Sequence, residues 1–204
     1  MGRARVFRGR RGLRVRDRLR VLRSRERRFR VGALIQSLAD VVHSFDRQLL
    51  DLVQTPHAGW LDLLASIVSI FGQAEVTGVV ALAVAIVWWR ARRPFWWLPL
   101  LIAAVVAIET ALKLIVPQAP PPHELSRSIQ LLPFLESPTP YSFPSGHVAR
   151  VAFLVLAFGW RWPVALACVF VMAITRVYLG EHWPSDVIGG WVLGSVVALI
   201  GKRA

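Results

Sequence analysis

Long apolar runs separated by short polar breaks make up most of the chain after residue 54. A bilayer crossing takes about 20 apolar residues, so the run at 60–71 is too short to span alone. It is expected to join the run at 76–89 in one kinked or tilted helix, with the polar stretch 72–75 as its weak point. The remaining runs predict further spans: residues 95–116, 147–160, 163–178 and 187–201. The pattern therefore predicts an all-α polytopic membrane bundle of about five to six transmembrane or interfacial helices.

The segment at residues 32–53 has a different, amphipathic pattern. Apolar residues cover most of it, and its polar groups recur at helical spacing on one face. These groups are Asp40, His43, Asp46, Arg47 and Asp51. Five charged or titratable side chains would be costly at the middle of a bilayer, so an interfacial helix is expected rather than a span. His43 is interpreted as a solvated surface histidine and not as a ligand.

Composition agrees with a membrane protein, and most of its charge is local. The chain has 204 residues, 55% of them hydrophobic, and a mean hydropathy of +0.49. Of its formal net charge of +13, most comes from arginines within residues 1–30, opposed there by Asp17 and Glu26 alone. The lone Cys168 lies in an apolar run, which rules out an intramolecular disulfide.

The basic tail at residues 1–31 lacks the continuous apolar core of a signal peptide. It is interpreted as a disordered cytoplasmic tail that lies on anionic lipid. An arm binding nucleic acid would also be basic, but no aromatic interleaving supports it and no nucleic-acid partner is expected. A translation start placed too far upstream is a third reading. The domain organisation is thus a tail at 1–31, an interfacial helix at 32–53 and a membrane domain at 54–204.

Basic residues at the ends of the spans predict the orientation in the membrane. They are Arg90, Arg92, Arg93, Arg161, Lys202 and Arg203, and the positive-inside rule makes their side cytoplasmic. The proline-rich loop and the motif at 175–186 then lie together on the extracytoplasmic side. With a single span before Arg90, the basic tail would also lie outside. Either residues 32–72 contain another crossing or the tail is an exception to the rule.

Two short polar motifs frame this extracytoplasmic end, YSFPSGH at 141–147 and TRVYLGEHWPSD at 175–186. Pro144 to His147 open directly into an apolar run, so they are expected to start a helix whose N–H groups and dipole favour phosphate. Asp186 lies four residues after His182, one helical turn if the backbone is helical there, close enough for the carboxylate to hold the imidazole in one tautomer. An anion cradle beside two histidines predicts phosphoryl chemistry at a membrane surface.

Taken together, three motifs resemble those of the type 2 phosphatidic acid phosphatase (PAP2) superfamily of lipid phosphatases. Its small bacterial members include undecaprenyl-diphosphate phosphatases and phosphatidylglycerophosphate phosphatases. The resemblance covers about residues 55–204. PSGH is unchanged at 144–147, the third motif appears as Thr175-Arg176, His182 and Asp186, and the first retains Lys113 and Pro121. The chain departs from the family at position 120, where Pro120 stands in place of arginine.

The resemblance implies a role for each matching residue. His182 would be the nucleophile that forms a phosphohistidine, Asp186 would orient it, and His147 would be the general acid. The phosphoryl oxygens would be held by Lys113, Ser145, Gly146 and Arg176. The substrate would be a lipid phosphomonoester or a polyprenyl diphosphate, at the plasma membrane of a bacterium. No cofactor or metal is implied, and the sequence has no clustered carboxylate pair to bind one.

Other interpretations of the same residues stay open. His123 and Arg127, later in the proline-rich loop, are the residues available to compensate for Pro120. Without such compensation the chain would be a catalytically weak or inactive protein that binds lipid phosphate. Taken singly, His147 could cap a helix, and Arg176 with Asp186 could be a structural ion pair. The oligomeric state is not predicted.

Overall fold

A computed structural model of the chain describes residues 33–34, 36–131 and 140–203, and all the regular structure in these ranges is helical. The basic tail predicted at 1–31 lies outside the described residues. The chain divides into two compact units, Met1–Phe45 and Asp46–Ala204. In the first unit, residues 36–45 are helical and exposed, His43 included. The all-α class predicted from the sequence is confirmed.

The described helices follow the apolar runs. They are α1 (residues 36–54), α2 (Gly59–Ile70), α3 (Ala74–Arg90), α4 (Ile102–Ile115), α5 (Gly146–Ala157), α6 (Trp162–Tyr178) and α7 (Pro184–Gly201), with 3₁₀ turns at Leu98–Leu101 and His123–Leu125. Two helical segments are long and apolar enough to cross a membrane, Leu98–Ile115 and Pro184–Gly201. The α2–α3 pair is a third if it is counted as one bent span.

The break between α2 and α3 lies where the polar stretch 72–75 predicts it. The two helices meet at an angle of 45°. Gln73 is extended, with φ −63° and ψ 149°, and its carbonyl accepts the Thr77 hydroxyl at 2.7 Å as α3 begins. Beside it, a Cβ on Gly72 would lie 2.8 Å from Cδ2 of His147. The break thus brings the backbone of Gly72 against His147 of the PSGH motif.

Helix α5 is a core helix of twelve residues, shorter than the helices that could cross a membrane. Nine of its twelve residues are buried. It packs closely against α7, because Gly190 and Gly194 of α7 carry no Cβ. A methyl group at Gly194 would collide with the Ala149 carbonyl, and one at Gly190 with the Ser145 carbonyl. This packing places the start of α5 beside the start of α7.

Asp46 departs from the solvated polar face that the periodicity of residues 32–53 predicts. It is 1% exposed, and its two carboxylate oxygens accept the backbone N–H of Ser185 at 2.8 Å and the Ser185 hydroxyl at 2.6 Å. Ser185 lies in the first turn of α7, where N–H groups lack partners within the helix. A carboxylate cap of this kind stabilises a helix by about 1 kcal/mol. Asp46 therefore helps to fix the helix that carries Asp186.

Candidate active site

His182 and Asp186 form a buried pair at the beginning of α7. Asp186 Oδ2 accepts the backbone N–H of Trp183 at 2.8 Å, which closes the first turn of the helix. The same oxygen lies 3.4 Å from Nδ1 of His182. The side chain of Asp186 is 0% exposed and that of His182 is 9% exposed. Since Nδ1 is directed to the carboxylate, Nε2 is the imidazole nitrogen left for chemistry.

The PSGH motif is joined to the His182–Asp186 pair through a backbone hydrogen bond. The Ser145 N–H donates to the Asp186 carbonyl at 2.9 Å. Ser145 is the N-cap of α5, and its hydroxyl is buried without a hydrogen-bond partner among the described residues. A buried hydroxyl without a partner is uncommon, because the missing hydrogen bond costs free energy. Here it lies at a helix N-terminus, where an anion is favoured.

Lys113 belongs to a buried network of charges behind α5. Its ammonium lies 3.0 Å from Glu109 Oε1, one turn earlier on α4. The other oxygen of Glu109 lies 2.6 Å from Nη1 of Arg150, and Nε of Arg150 donates to the Gly72 carbonyl at 2.9 Å. Any Cβ at Gly146 would collide with the Glu109 carboxylate. The network therefore reaches the first residue of α5.

Arg176 is held from two sides near the end of α6. Its Nη1 donates to the Ser69 hydroxyl of α2 at 2.5 Å, and its Nη2 lies 3.8 Å from Oε2 of Glu181. Glu181 in turn accepts the Ser126 hydroxyl at 2.9 Å. Arg176 is 7% exposed, so its charge is little screened by solvent. These contacts fix the direction of its guanidinium, and one of them is an ion pair with Glu181.

His147, the second residue of α5, lies among the other predicted site residues. Four side chains are close enough to act electrostatically on its imidazole: Arg176, Arg150, His182 and Lys113. The structure thus brings together seven predicted residues from three separate segments: Lys113, Ser145, Gly146, His147, Arg176, His182 and Asp186. Together they form a cluster that holds two imidazoles, two cations and one carboxylate.

The proline-rich loop is fastened at the start of α7. The Ala119 carbonyl accepts the indole N–H of Trp183 at 2.8 Å, and the Gln118 carbonyl accepts the backbone N–H of Ser142 at 2.9 Å. Pro120 is exposed. The loop therefore runs beside the His182–Asp186 pair but brings no cation at position 120.

The two residues proposed to compensate for Pro120 lie further along the same loop. His123 is exposed, in the short 3₁₀ turn. The guanidinium of Arg127 lies over the Tyr178 ring, 5.3 Å from its centroid, and Nη1 donates to the Pro56 carbonyl at 3.3 Å. Arg127 is thus engaged at the end of α6, whereas the buried Arg150 joins the network that includes Lys113.

Burial lowers the pKa of His182 below its ordinary value of 6.5. The contact with Asp186 raises the pKa, while the charges of Arg176 and Lys113 lower it further. The net effect keeps the imidazole neutral at neutral pH, the form that has a free lone pair for attack on phosphorus.

Four contributors to the site were missed by sequence reasoning: Ser69, Gly72, Glu109 and Arg150. Two of them left a signal, because Glu109 and Arg150 are ionisable residues inside apolar runs, and such residues usually mark function. Glu109 is also one turn from Lys113, and Arg150 is one turn from His147. Ser69 and Gly72 left no comparable signal. Within the described ranges, no group of three or more His, Cys, Asp or Glu could hold a metal ion.

Comparison with known proteins finds relatives in sequence and in fold. An undecaprenyl-diphosphatase of Sulfolobus acidocaldarius is 27% identical over 164 residues, which is 78% of each chain. A transmembrane PAP2-type phosphatidylglycerolphosphate phosphatase of Bacillus subtilis has the same fold, with a TM-score of 0.67 at 20% identity, over 80% of this chain and 85% of that one. Aquifex aeolicus LpxE gives a TM-score of 0.59 at 24% identity, over 77% and 94% of the two chains.

The family match and the Sulfolobus relative confirm the predicted enzyme class, a phosphoric ester or diphosphate hydrolase, and the described residues include helices long and apolar enough to cross a membrane. The sequence model of the PAP2 superfamily matches residues 94–204, more than half of the chain. The chain therefore belongs to the PAP2 superfamily.

Proposed function

We propose that this protein hydrolyses a lipid phosphomonoester or a polyprenyl diphosphate through a phosphohistidine on His182. The observation that carries the proposal is the buried Ser145 hydroxyl, which has no partner among the described residues, at the N-terminus of α5. Its backbone N–H is bonded to Asp186, the partner of His182. A phosphoryl oxygen is the ligand that this hydroxyl and this helix end would accept together.

In the first step the site binds the phosphoryl group. Lys113 and Arg176 supply positive charge, and Ser145 Oγ and the Gly146 N–H supply hydrogen bonds. Negative charge on the phosphoryl oxygens is stabilised in the transition state by these fixed donors. The buried contacts of Lys113 and Arg176 hold both cations in place before substrate arrives, so little reorganisation is needed.

In the second step Nε2 of His182 attacks phosphorus. A P–N bond forms as the bond from phosphorus to the leaving oxygen breaks. Asp186 Oδ2 faces Nδ1 at 3.4 Å and stabilises the positive charge that develops on the imidazole. A separation of this size in the free protein is expected to shorten when the transition state forms.

His147 would give its proton to the leaving oxygen, which departs as a lipid alcohol or a lipid monophosphate. The negative charge of the bound phosphoryl group favours the protonated imidazole. Water then attacks phosphorus, the P–N bond breaks with its electron pair returning to Nε2 of His182, and His147 takes a proton from that water as a general base. Inorganic phosphate leaves, and both histidines return to their starting states.

A polyprenyl diphosphate is the favoured substrate. The chain is small, and the relative that matches 78% of both chains is named an undecaprenyl-diphosphatase. We further propose that residues 54–204 are the phosphatase domain, with residues 32–53 as an interfacial helix and 1–31 as a basic tail. The distribution of basic residues at the ends of the spans supports a plasma-membrane protein with an extracytoplasmic site.

The proposal is tested by phosphate release from detergent-solubilised protein, with wild type beside His182→Ala. The substrates are phosphatidic acid, phosphatidylglycerophosphate and an isoprenyl diphosphate, each in EDTA. Wild type is expected to release phosphate, and His182→Ala to be slower by at least about a thousandfold. His43→Ala, an exposed histidine, is the matched control. Equal background release from wild type and His182→Ala would refute catalysis and leave a protein that binds lipid phosphate.

A further inference from the structure

We propose that Arg150 supplies the positive charge that position 120 lacks, with Glu109 coupling Arg150 to Lys113. The inference rests on the proposed function, because it concerns how the same site holds a phosphoryl group. It assigns a charge-supplying role to Arg150 and a positioning role to Glu109. Neither residue belongs to the three motifs, and Arg150 replaces the loop residues His123 and Arg127 as the source of compensation.

Lys113 alone brings little net charge to the site. Its ammonium lies 3.0 Å from the Glu109 carboxylate, and both side chains are nearly buried, at 13% and 8% exposed. An ion pair this close is almost neutral when seen from a neighbouring phosphoryl group. With Pro120 in place of arginine, the Lys113–Glu109 pair alone would give the α4 side of the site no net charge. That side would then attract a phosphate anion poorly.

Arg150 restores the missing charge. Its Nη1 lies 2.6 Å from the second oxygen of Glu109, so one buried carboxylate is shared by two cations. Glu75 at the start of α3 also acts on Arg150, but it is exposed and screened by water, so the buried group is net positive. Side chains on a helix tilt towards its N-terminus, and Arg150 is one turn after His147. Its guanidinium therefore reaches back to the level of Gly146, where Glu109 packs. Arg150 is 6% exposed, so its field is weakly screened.

A hydrogen bond to the break between α2 and α3 shows that the position of Arg150 is built into the fold. Nε donates to the carbonyl of Gly72 at 2.9 Å, in the break between α2 and α3. The same glycine packs against the His147 imidazole, where a Cβ would lie 2.8 Å from Cδ2. Gly72 thus both binds Arg150 and contacts His147. Burying an arginine in an apolar helix is costly, and a salt bridge alone seldom repays that cost.

The test measures binding of inorganic phosphate by calorimetry, together with KM and kcat for the substrate that wild type cleaves. The variants are Arg150→Met, Arg150→Lys, Glu109→Gln and the double variant Arg150→Met/Glu109→Gln. Arg161→Met and Glu124→Gln are matched controls, since both residues are exposed. His123→Ala and Arg127→Ala test the loop residues. Thermal unfolding in detergent monitors folding of every variant.

Arg150→Met is expected to weaken phosphate binding and raise KM by about ten- to hundredfold, the effect of one unit charge several ångströms away at an effective dielectric constant of about 20. Arg150→Lys keeps the charge but loses one of the two donor contacts, so its phosphate affinity and KM should lie closer to wild type than to Arg150→Met. Glu109→Gln should tighten phosphate binding. The double variant restores the charge balance and should bind phosphate better than Arg150→Met alone.

Three results would overturn the inference. Arg150→Met could leave phosphate affinity and KM unchanged while kcat falls with the folded fraction, as for a purely structural ion pair. Arg150→Lys could be as impaired as Arg150→Met. His123→Ala or Arg127→Ala could weaken phosphate binding more than Arg150→Met does. Because phosphate binding needs no turnover, the inference stands or falls separately from the proposed catalysis.

Discussion

At the scale of single residues, His182 and Asp186 show what sequence spacing can predict. They are four positions apart, so a tight local turn is enough to bring carboxylate and imidazole together. Helix α7 begins only at Pro184, after His182, and Asp186 closes its first turn onto the Trp183 N–H, which leaves the two side chains 3.4 Å apart. Arg150 and Glu109 are 41 positions apart, and only the packing of α4 on α5 makes them a pair. The sequence marks each as unusual in an apolar run but does not join them.

The lowered pKa of His182 predicts the pH dependence of the reaction. A neutral nucleophile is needed, so kcat/KM should rise with pH along an acid limb whose midpoint lies below the ordinary histidine pKa of 6.5. Asp186→Asn removes the group that raises this pKa, so the acid limb should move to lower pH. The rate should also fall by about a hundredfold or more, because the imidazole loses its orienting partner.

The measurement is the pH profile of kcat/KM for wild type and Asp186→Asn with one substrate. The phosphate group of the substrate also titrates, with a pKa of about 6, but it contributes equally to both profiles. The difference between the two acid limbs therefore reports on His182. An acid limb that moves to higher pH in Asp186→Asn would contradict the assignment of Asp186 as the partner of His182.

At the scale of helices, the ends were less well predicted than the runs themselves. The run at 147–160 stops at Ala157, because Gly159 has φ 70° and takes the left-handed conformation that closes many helices. The run at 187–201 begins earlier, at Pro184, since proline suits the first helical position and Asp186 accepts the Trp183 N–H. Both signals are local and were present in the sequence.

The cap supplied by Asp46 could not be predicted in the same way. Periodicity places this residue on the polar face of α1, and nothing nearby in the sequence indicates a partner. Its partner, Ser185, lies 139 positions away. The sequence shows that the start of α7 favours an anion, and it shows that the polar face of α1 carries carboxylates. Their pairing depends on tertiary packing.

At the scale of the whole molecule, the apolar runs predict a membrane bundle, and the described helices confirm it. Which end of the bundle faces the cytoplasm is a separate question, and the basic residues at the span ends predict the answer. We expect the proline-rich loop to be extracytoplasmic and the C-terminal Lys202 and Arg203 to be cytoplasmic.

Cysteine labelling tests this orientation. The single Cys168 is first replaced by alanine, and a cysteine is then placed at exposed Pro120 or exposed Arg203. A membrane-impermeant maleimide added to intact cells should label Pro120→Cys, and should label Arg203→Cys only after the cells are opened. The reverse pattern would place the site on the cytoplasmic side.

The central claim is that His182 carries the phosphoryl group between the lipid and water. The most direct measurement is a rapid acid-free quench after mixing the protein with a lipid phosphate labelled in its phosphoryl group. Wild type should hold a label that is stable in alkali, is lost in acid and maps to the peptide containing His182, and His182→Ala should hold none. Turnover by wild type with no such label, or a label that persists in His182→Ala, would contradict the account.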